Sequence, residues 1–284
     1  MNDSPKTAVQ RVADAVRYWS ERLGGGAPLP SQEELAEQFS VSRDTVQKAL
    51  KVLQEEGLID SIRGSGTFVA GSTPKVNAAE DNLEPAILAL GSHLDQALLS
   101  SRVSIDYYGF TAETLSKELT PRLVRMWLPG STHPDSIHIR LLLPEVGHLA
   151  VPRAVEDPAD PRPLERLSGI ASRCIDALTQ SMSELRTRQA VLDTSLEIRT
   201  FPWTPMEKLY LINGDLALRG WYRVHQMPVE VPTRDGSNTE NVESFDLFGL
   251  EALLAAQRPH ARVEARDWFD SLWSTIAMDY KLSE

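Results

Sequence analysis

The sequence predicts a multi-domain chain of mixed α/β class, in which a small helix-rich unit precedes a larger α/β unit. Three observations carry this. Between Leu29 and Val69, two short stretches with apolar residues at helical spacing precede two β-prone runs around a glycine-rich tip. From Ala70 to Asn82 the chain turns small, polar and unpatterned. Beyond it, stretches of helical periodicity alternate with apolar runs of strand length, the pattern of an α/β layer holding a parallel strand pair. The boundaries fall at 1–70 and 83–284, joined by a linker over 71–82.

In order along the chain, Thr7 to Leu23 places Val9, Val12, Ala13, Val16 and Trp19 on one face, an amphipathic helix stopped by Gly24-Gly25-Gly26. Leu29-Pro30-Ser31 turns the chain, and Ser31 with Glu34 three residues on is a capping-box pattern. Leu35, Ala36 and Phe39 mark the next helix. Val41 lies in a short turn, and Val46, Ala49, Leu50 and Leu53 mark a second helix opened by Ser42. After Gly57, Leu58-Ile59 and Thr67-Phe68-Val69 flank Arg63-Gly64-Ser65-Gly66. Helix, turn, helix and a glycine-tipped two-stranded ribbon make a winged helix-turn-helix, whose second helix enters the DNA major groove with its N-terminal residues leading.

The stretch LPSQEELAEQFSVSRDTVQKALKVLQEEGLIDSIRGSGTFV is similar, position by position, to the DNA-binding domain of the GntR family of bacterial transcription regulators. In that family the preceding helix packs beneath the reading head. The contacts follow from chemistry. Arg43 can offer a two-pronged donor to guanine, and Gln47 can pair with adenine or bridge to a phosphate. Ser42 and Thr45 suit backbone oxygens, as does Ser31, whose capping role alone also explains it. Lys48 and Lys51 add charge on the second helix. Arg63 and the glycines Gly64 and Gly66 around Ser65 would follow a phosphate or reach a minor groove, or form an ordinary hairpin turn. Three positions depart from the family pattern: Glu33 and Gln47 stand where arginines are usual, and Asp44 where a small hydroxyl residue is usual. The operator should therefore differ from the family's commonest type, and Asp44 either accepts from a cytosine or repels phosphate.

The net charge of −11 argues against indiscriminate coating of nucleic acid. Even residues 1–73 hold eight basic side chains against ten acidic ones. What favours DNA is placement, since Arg43, Lys48, Lys51 and Arg63 share the second helix and the wing. Modest nonspecific affinity, steep salt dependence and pairing of two heads in a homodimer are expected.

In the second unit, Leu83 to Ser100 reads as a helix, Val103 to Phe110 as a strand, Thr111 to Leu128 as a helix and Ser136 to Leu143 as a buried strand. Residues 144–163, rich in proline and charge, form a loop or lid. Leu164 to Val191 is a long helix of the core or of a dimer interface. Leu196 to Phe201, Lys208 to Ile212 and Ala217 to Val224 are β-prone, the last two separated by Asn213-Gly214, a hairpin signal. Leu247 to Ala256 and Arg266 to Asp279 close the chain as helices. Met206 to Asn213, with Gly220 a strand later, resembles the catalytic segment of the phospholipase D superfamily, histidine-x-lysine-x4-aspartate and then a glycine. In that register Met206 replaces the nucleophilic histidine, Lys208 keeps the lysine and Asn213 replaces the aspartate. Methionine cannot attack phosphorus, so the resemblance implies a degenerate, non-catalytic phospholipase D-like domain. Lys208 could still hold an anion, with Trp203, Tyr210, Trp221 or Tyr222 as aromatic neighbours, or merely precede a strand. Tyr107 and Tyr108 end a strand where α/β folds place ligand crevices, or simply pack.

The six histidines have no metal-ligand spacing, no glycine-rich phosphate loop follows a strand, and no catalytic residue, cofactor or metal is expected. The lone Cys174 sits among Ile170, Ile175 and Leu178 and reads as a structural thiol. With neither a membrane-length apolar run nor a leader-like start, a cytoplasmic protein is expected. The predicted function is a dimeric, sequence-specific transcription regulator binding double-stranded operator DNA, its second domain dimerising and sensing a small-molecule effector or a protein partner. The alternative is a DNA-targeted phosphodiesterase-like enzyme, against which Met206 and Asn213 weigh.

Overall fold

A computed structural model describes residues 7–23, 25–62, 66–70, 83–128, 130–131, 133–247, 249 and 252–280. The expected linker over 71–82 and the wing tip Arg63-Gly64-Ser65 lie outside the described residues. The first helix, α1 (Ala8–Ser20), opens on a capping box in which Thr7 Oγ1 accepts from Gln10 N and Gln10 Oε1 accepts from Thr7 N. A two-residue strand β1 (Pro28–Leu29) leads to α2 (Gln32–Gln38) and α3 (Arg43–Glu55), then β2 (Ile59–Ile62) and β3 (Gly66–Val69). These strands form one antiparallel sheet in the order β1-β3-β2. Val12, Val16 and Trp19 of α1, Leu35 of α2 and Val46, Ala49 and Leu53 of α3 meet in one core, so the apolar stripe of each helix is spent inward.

The larger part begins with β4 (Leu83–Pro85), α4 (Ala86–Ala97), β5 (Arg102–Tyr108), α5 (Glu113–Arg125) and β6 (Ser136–Pro144). It continues through β7 (Arg153–Ala154), α6 (Arg162–Thr187), β8 (Asp193–Phe201), β9 (Glu207–Ile212) and β10 (Leu216–Trp221). Next come β11 (Val224–Pro232), β12 (Thr239–Leu247), β13 (Leu253–Ala256), α7 (Pro259–Thr275) and β14 (Met278–Asp279). Eight strands build a mixed sheet in the order β14-β8-β6-β5-β9-β10-β13-β4. The expected parallel pair is present as β5 beside β6, and β8 joins β6 in parallel too. Helices α4, α5 and α6 cover one face, where Leu90, Leu119 and Leu178 are fully buried, and α7 covers the other through Phe269 and Trp273. Both faces being covered explains the near-continuous apolar run of β6. The long α6 belongs to this core, with Ile175, Leu178, Met182 and Leu185 packed on the sheet.

Four expectations need correction. Leu247 to Ala256 is not a helix: Leu253–Ala256 is β13, paired antiparallel to β10 and carrying β4 on its other side. The helix-favouring composition of ALLAA loses to the backbone hydrogen bonds that an open sheet edge supplies. Leu83 to Ser100 likewise starts as a strand, β4, before becoming α4, and Arg266 to Asp279 is helical only to Thr275, where α7 ends, with Met278–Asp279 in β14. Ala217 to Val224 is not one strand, because β10 stops at Trp221 and β11 begins at Val224 in a separate sheet ordered β11-β12-β7. The β11–β12 hairpin itself, paired from Val224↔Leu247 to Pro232↔Thr239, carries too much polar surface to announce itself by hydrophobic pattern.

The two parts touch. Leu253 of β13 joins the helical core around Trp19. Tyr18 of α1 meets two guanidiniums, Arg22 just after its helix at 3.8 Å and Arg223, just before β11, at 3.9 Å from the ring centroid. Arg11 Nη1 donates to the carbonyl of Pro228 at 3.3 Å.

Candidate nucleic-acid interface

Helix α3 starts at an N-cap, Ser42, whose hydroxyl accepts from Thr45 N at 3.2 Å. With Val46, Ala49, Leu50 and Leu53 turned into the core, Arg43, Asp44, Gln47, Lys48 and Lys51 are exposed on the outer side. Thr45 is half-buried and its Oγ1 lies 2.9 Å from Ser42 Oγ. Ser31 is the cap of α2, accepting from Glu34 N while Glu34 accepts from Ser31 N at 2.7 Å. Of the expected wing contacts, Gly66 is exposed with φ +108°, a conformation suited to glycine, and pairs with Ile62.

The electrostatics of this surface come from the departures noted in the sequence. Arg43 Nη2 sits 2.5 Å from Glu33 Oε1, and Lys48 Nζ sits 2.7 Å from Asp44 Oδ2 one turn earlier. Two of the cations expected to meet phosphate therefore already hold carboxylates. Both pairs are well exposed, so each is weak and DNA can displace it. Glu33→Gln is expected to strengthen binding to any duplex by about two- to fivefold and to steepen its salt dependence, since a released Arg43 can displace one more counterion. Anisotropy titrations across a salt series check this; an unchanged slope would show that Glu33 does not restrain Arg43 on DNA.

The second cluster of expected residues separates on the sheet. Lys208 and Tyr107 lie on the face covered by α4, α5 and α6, while Tyr108 and Trp203 lie on the α7 face, where Trp203 Nε1 donates to Tyr108 Oη at 3.1 Å beside Phe201 and Trp268. Trp221 points outward, 63% exposed under Arg219. Asn213 is at the far end of β9 from Lys208, with φ +51°; its Oδ1 accepts from Ser104 N at 2.9 Å and its Nδ2 donates to the carbonyl of Ala97 at 3.1 Å. Gly220 lies where a Cβ would come within 2.8 Å of the Leu253 carbonyl, so packing against β13 accounts for it.

Lys208 itself is 2% exposed. Its Nζ donates to the carbonyl of Gly249 at 2.5 Å and to Thr114 Oγ1 at 3.3 Å, and faces the Tyr222 ring at 5.5 Å. Around it, Tyr107 and Tyr222 approach through their hydroxyls, and a side chain at Gly109 would collide with both. Burial pushes the Tyr107 hydroxyl up to about 12 and the Lys208 amine down to about 7, the latter partly opposed by Glu113. Between pH 7 and 10.5 the unfolded amine keeps its proton while the folded one has lost it, so this lysine makes stability rise with pH there. Lys208→Met should therefore be favoured most over the parent below pH 7, with the gap narrowing toward pH 10.5; urea titrations at several pH values measure it, and a pH-independent difference would contradict the burial account.

Several residues at this crevice carried no sequence signal: Gln38, Thr114, Arg166, Asp246 and Gly249 belong to five different segments. Burial raises the Asp246 carboxyl to about 6 even though Arg166 Nη1 stands 3.8 Å away. Among the described residues there is no cluster of three or more histidine, cysteine or acidic side chains able to hold a metal, and no helix long and apolar enough to cross a membrane. Cys174 is half-buried rather than enclosed, and its thiol is pushed up to about 11, mainly by burial.

Comparison with known proteins agrees with the geometry of the first unit. The family model described as bacterial regulatory proteins, gntR family, matches residues 8–69. The chain is 37% identical over 123 residues to the HTH-type transcriptional repressor NagR of Bacillus subtilis strain 168, covering 39% of this chain and 40% of NagR. It is 41% identical over 66 residues to the mannosyl-D-glycerate transport/metabolism system repressor MngR of Escherichia coli K12, covering 22% of this chain and 28% of MngR. A solved structure of AraR(DBD) in complex with operator ORE1 is 32% identical, covering 25% of this chain and 88% of that one, with a TM-score of 0.24. The chain spans less than half the length of these two curated relatives. The family match covers α1, the helix-turn-helix and both strands of the wing; residues 8–69 form a DNA-binding domain of the GntR family.

Proposed function

We propose that the chain is a transcription regulator that reads operator DNA as a homodimer, with a reading head over residues 1–70, a linker over 71–82 and an effector and dimerisation domain over 83–284. The observation that carries it is α3, which buries one face completely and presents Ser42, Arg43, Gln47, Lys48 and Lys51 on the other. The NagR and MngR likenesses support control of transcription by repression. For the second domain we favour a non-catalytic, phospholipase D-like scaffold: Lys208 is kept at a crevice, but exposed Met206 offers no nucleophile and Asn213 is engaged in a turn at the other end of the strand. No enzymatic step is assigned to it.

The test is binding of purified protein to duplexes tiled across its own promoter region. A sequence-dependent complex that weakens steeply with salt is expected, with two heads per operator; uniform binding to every duplex, or none, would refute the reading.

A further inference from the structure

The C-terminal end of α2 carries Gln38, 6% exposed, with neither its amide nitrogen nor its carbonyl oxygen meeting a hydrogen-bond partner among the described residues. A buried, unmatched carboxamide in a reading head is costly and unusual. Gln38 lines a cavity of about 110 Å³ together with Glu37 and Ser40 of the same unit and, from the second domain, Lys208, Arg166, Asp246, Glu113 and Tyr222. The cavity thus spans both parts of the molecule, five residues before the start of the groove-entering helix.

Its chemistry is two-signed. Arg166 supplies a cationic side with the Lys208 amine beside it, while Asp246 and Glu113 supply an anionic one. Arg166 and Asp246 are not matched tightly, standing 3.8 Å apart, and Lys208 is bonded to a carbonyl and a hydroxyl rather than to an acid, whereas Glu113 already holds Lys117 Nζ at 3.2 Å. A group that brings its own carboxylate and its own ammonium would complement both sides, where a simple anion or cation would satisfy one and oppose the other. Size narrows the class further. A space of about 110 Å³ suits a solute of modest size.

We propose that this cavity binds a small α-amino acid, its carboxylate toward Arg166 and Lys208, its ammonium toward Asp246, and the Gln38 carboxamide closing on it from the reading head. This rests on the regulator reading and names its effector class. Because the ligand touches both domains, it changes DNA affinity, and DNA changes its affinity by the same factor.

The experiment uses the full chain and the standard L-amino acids as probes, with the matching amines and carboxylic acids as controls, read by calorimetry and by thermal shift. At least one small amino acid should bind and raise the melting temperature, whereas its amine and acid analogues should not. Asp246→Asn, which leaves the reading head intact, and Gln38→Leu, which replaces an unmatched amide by an apolar group, should each weaken that binding by at least about tenfold. Both variants must melt cooperatively, and Gln38→Leu no lower than the parent. The proposal falls if no amino acid binds, if the analogues bind equally, or if both variants bind as the parent does. Amino-acid binding without any DNA complex would refute the regulator reading alone, and DNA binding without amino-acid binding would refute this site alone.

Discussion

Arg43→Ala is expected to weaken binding to the cognate duplex by about 10- to 100-fold, the range for loss of a two-pronged guanine contact, and to relax the base preference at one position. Arg43 is the first residue of α3, next to an N-cap that already satisfies Thr45 N, so its guanidinium is not needed to start the helix. Its contact with Glu33 is exposed and contributes little to the fold. The variant should therefore melt as the parent does. Lys51, also exposed, is the contrast: Lys51→Ala should weaken every duplex alike and lower the salt slope by about one. Competition titrations with single-base operator variants separate the two. If Arg43→Ala loses affinity equally on all of them, Arg43 holds a phosphate and base reading lies elsewhere on α3.

The larger effect on stability belongs to Asp106. This carboxylate, on the sheet's β5, is 3% exposed and accepts from Arg140 Nε at 2.6 Å and Nη2 at 2.9 Å, and from Arg266 of α7. Arg140 also donates to Asp270 at 2.8 Å and lies over Phe269 and Trp273. The network ties α7 to the sheet. Asp106→Ala leaves two part-buried guanidiniums short of one carboxylate, and a loss of about 3–5 kcal/mol is expected. Asp106→Leu, which also removes the acid, should not recover it while both arginines remain. Urea unfolding with linear extrapolation measures the change, and a loss below about 1 kcal/mol would show the network relaxing onto Asp270.

How legible each part was depended on where its information resides. The head is local: caps at Thr7, Ser31 and Ser42 and apolar residues three and four apart specify α1, α2 and α3 without any distant contact. The parallel pair of β5 and β6 was readable for a similar reason, since burial on both faces leaves an apolar run. Leu253–Ala256 was not, because its strand state comes from β10 and β4 alongside it. The crevice was half visible. Lys208 announces itself by a motif, but Trp203, expected as its aromatic neighbour, lies across the sheet beside Tyr108, which only the three-dimensional arrangement shows. Gln38 and Asp246 line one cavity from distant parts of the chain, and no spacing in the sequence encodes that.

The Glu33–Arg43 and Asp44–Lys48 pairs bear on how the protein finds its site. A genome is almost entirely wrong sequence, and time spent on it is time lost to the operator. A reading helix that carries its own carboxylates offers phosphate a competitor at every encounter, so it leaves nonspecific DNA quickly and settles only where base contacts outbid the internal pairs. Occupancy of an operator depends on the ratio of right to wrong binding, not on grip alone. An acidic head can therefore be a more selective one, reaching its site by short visits.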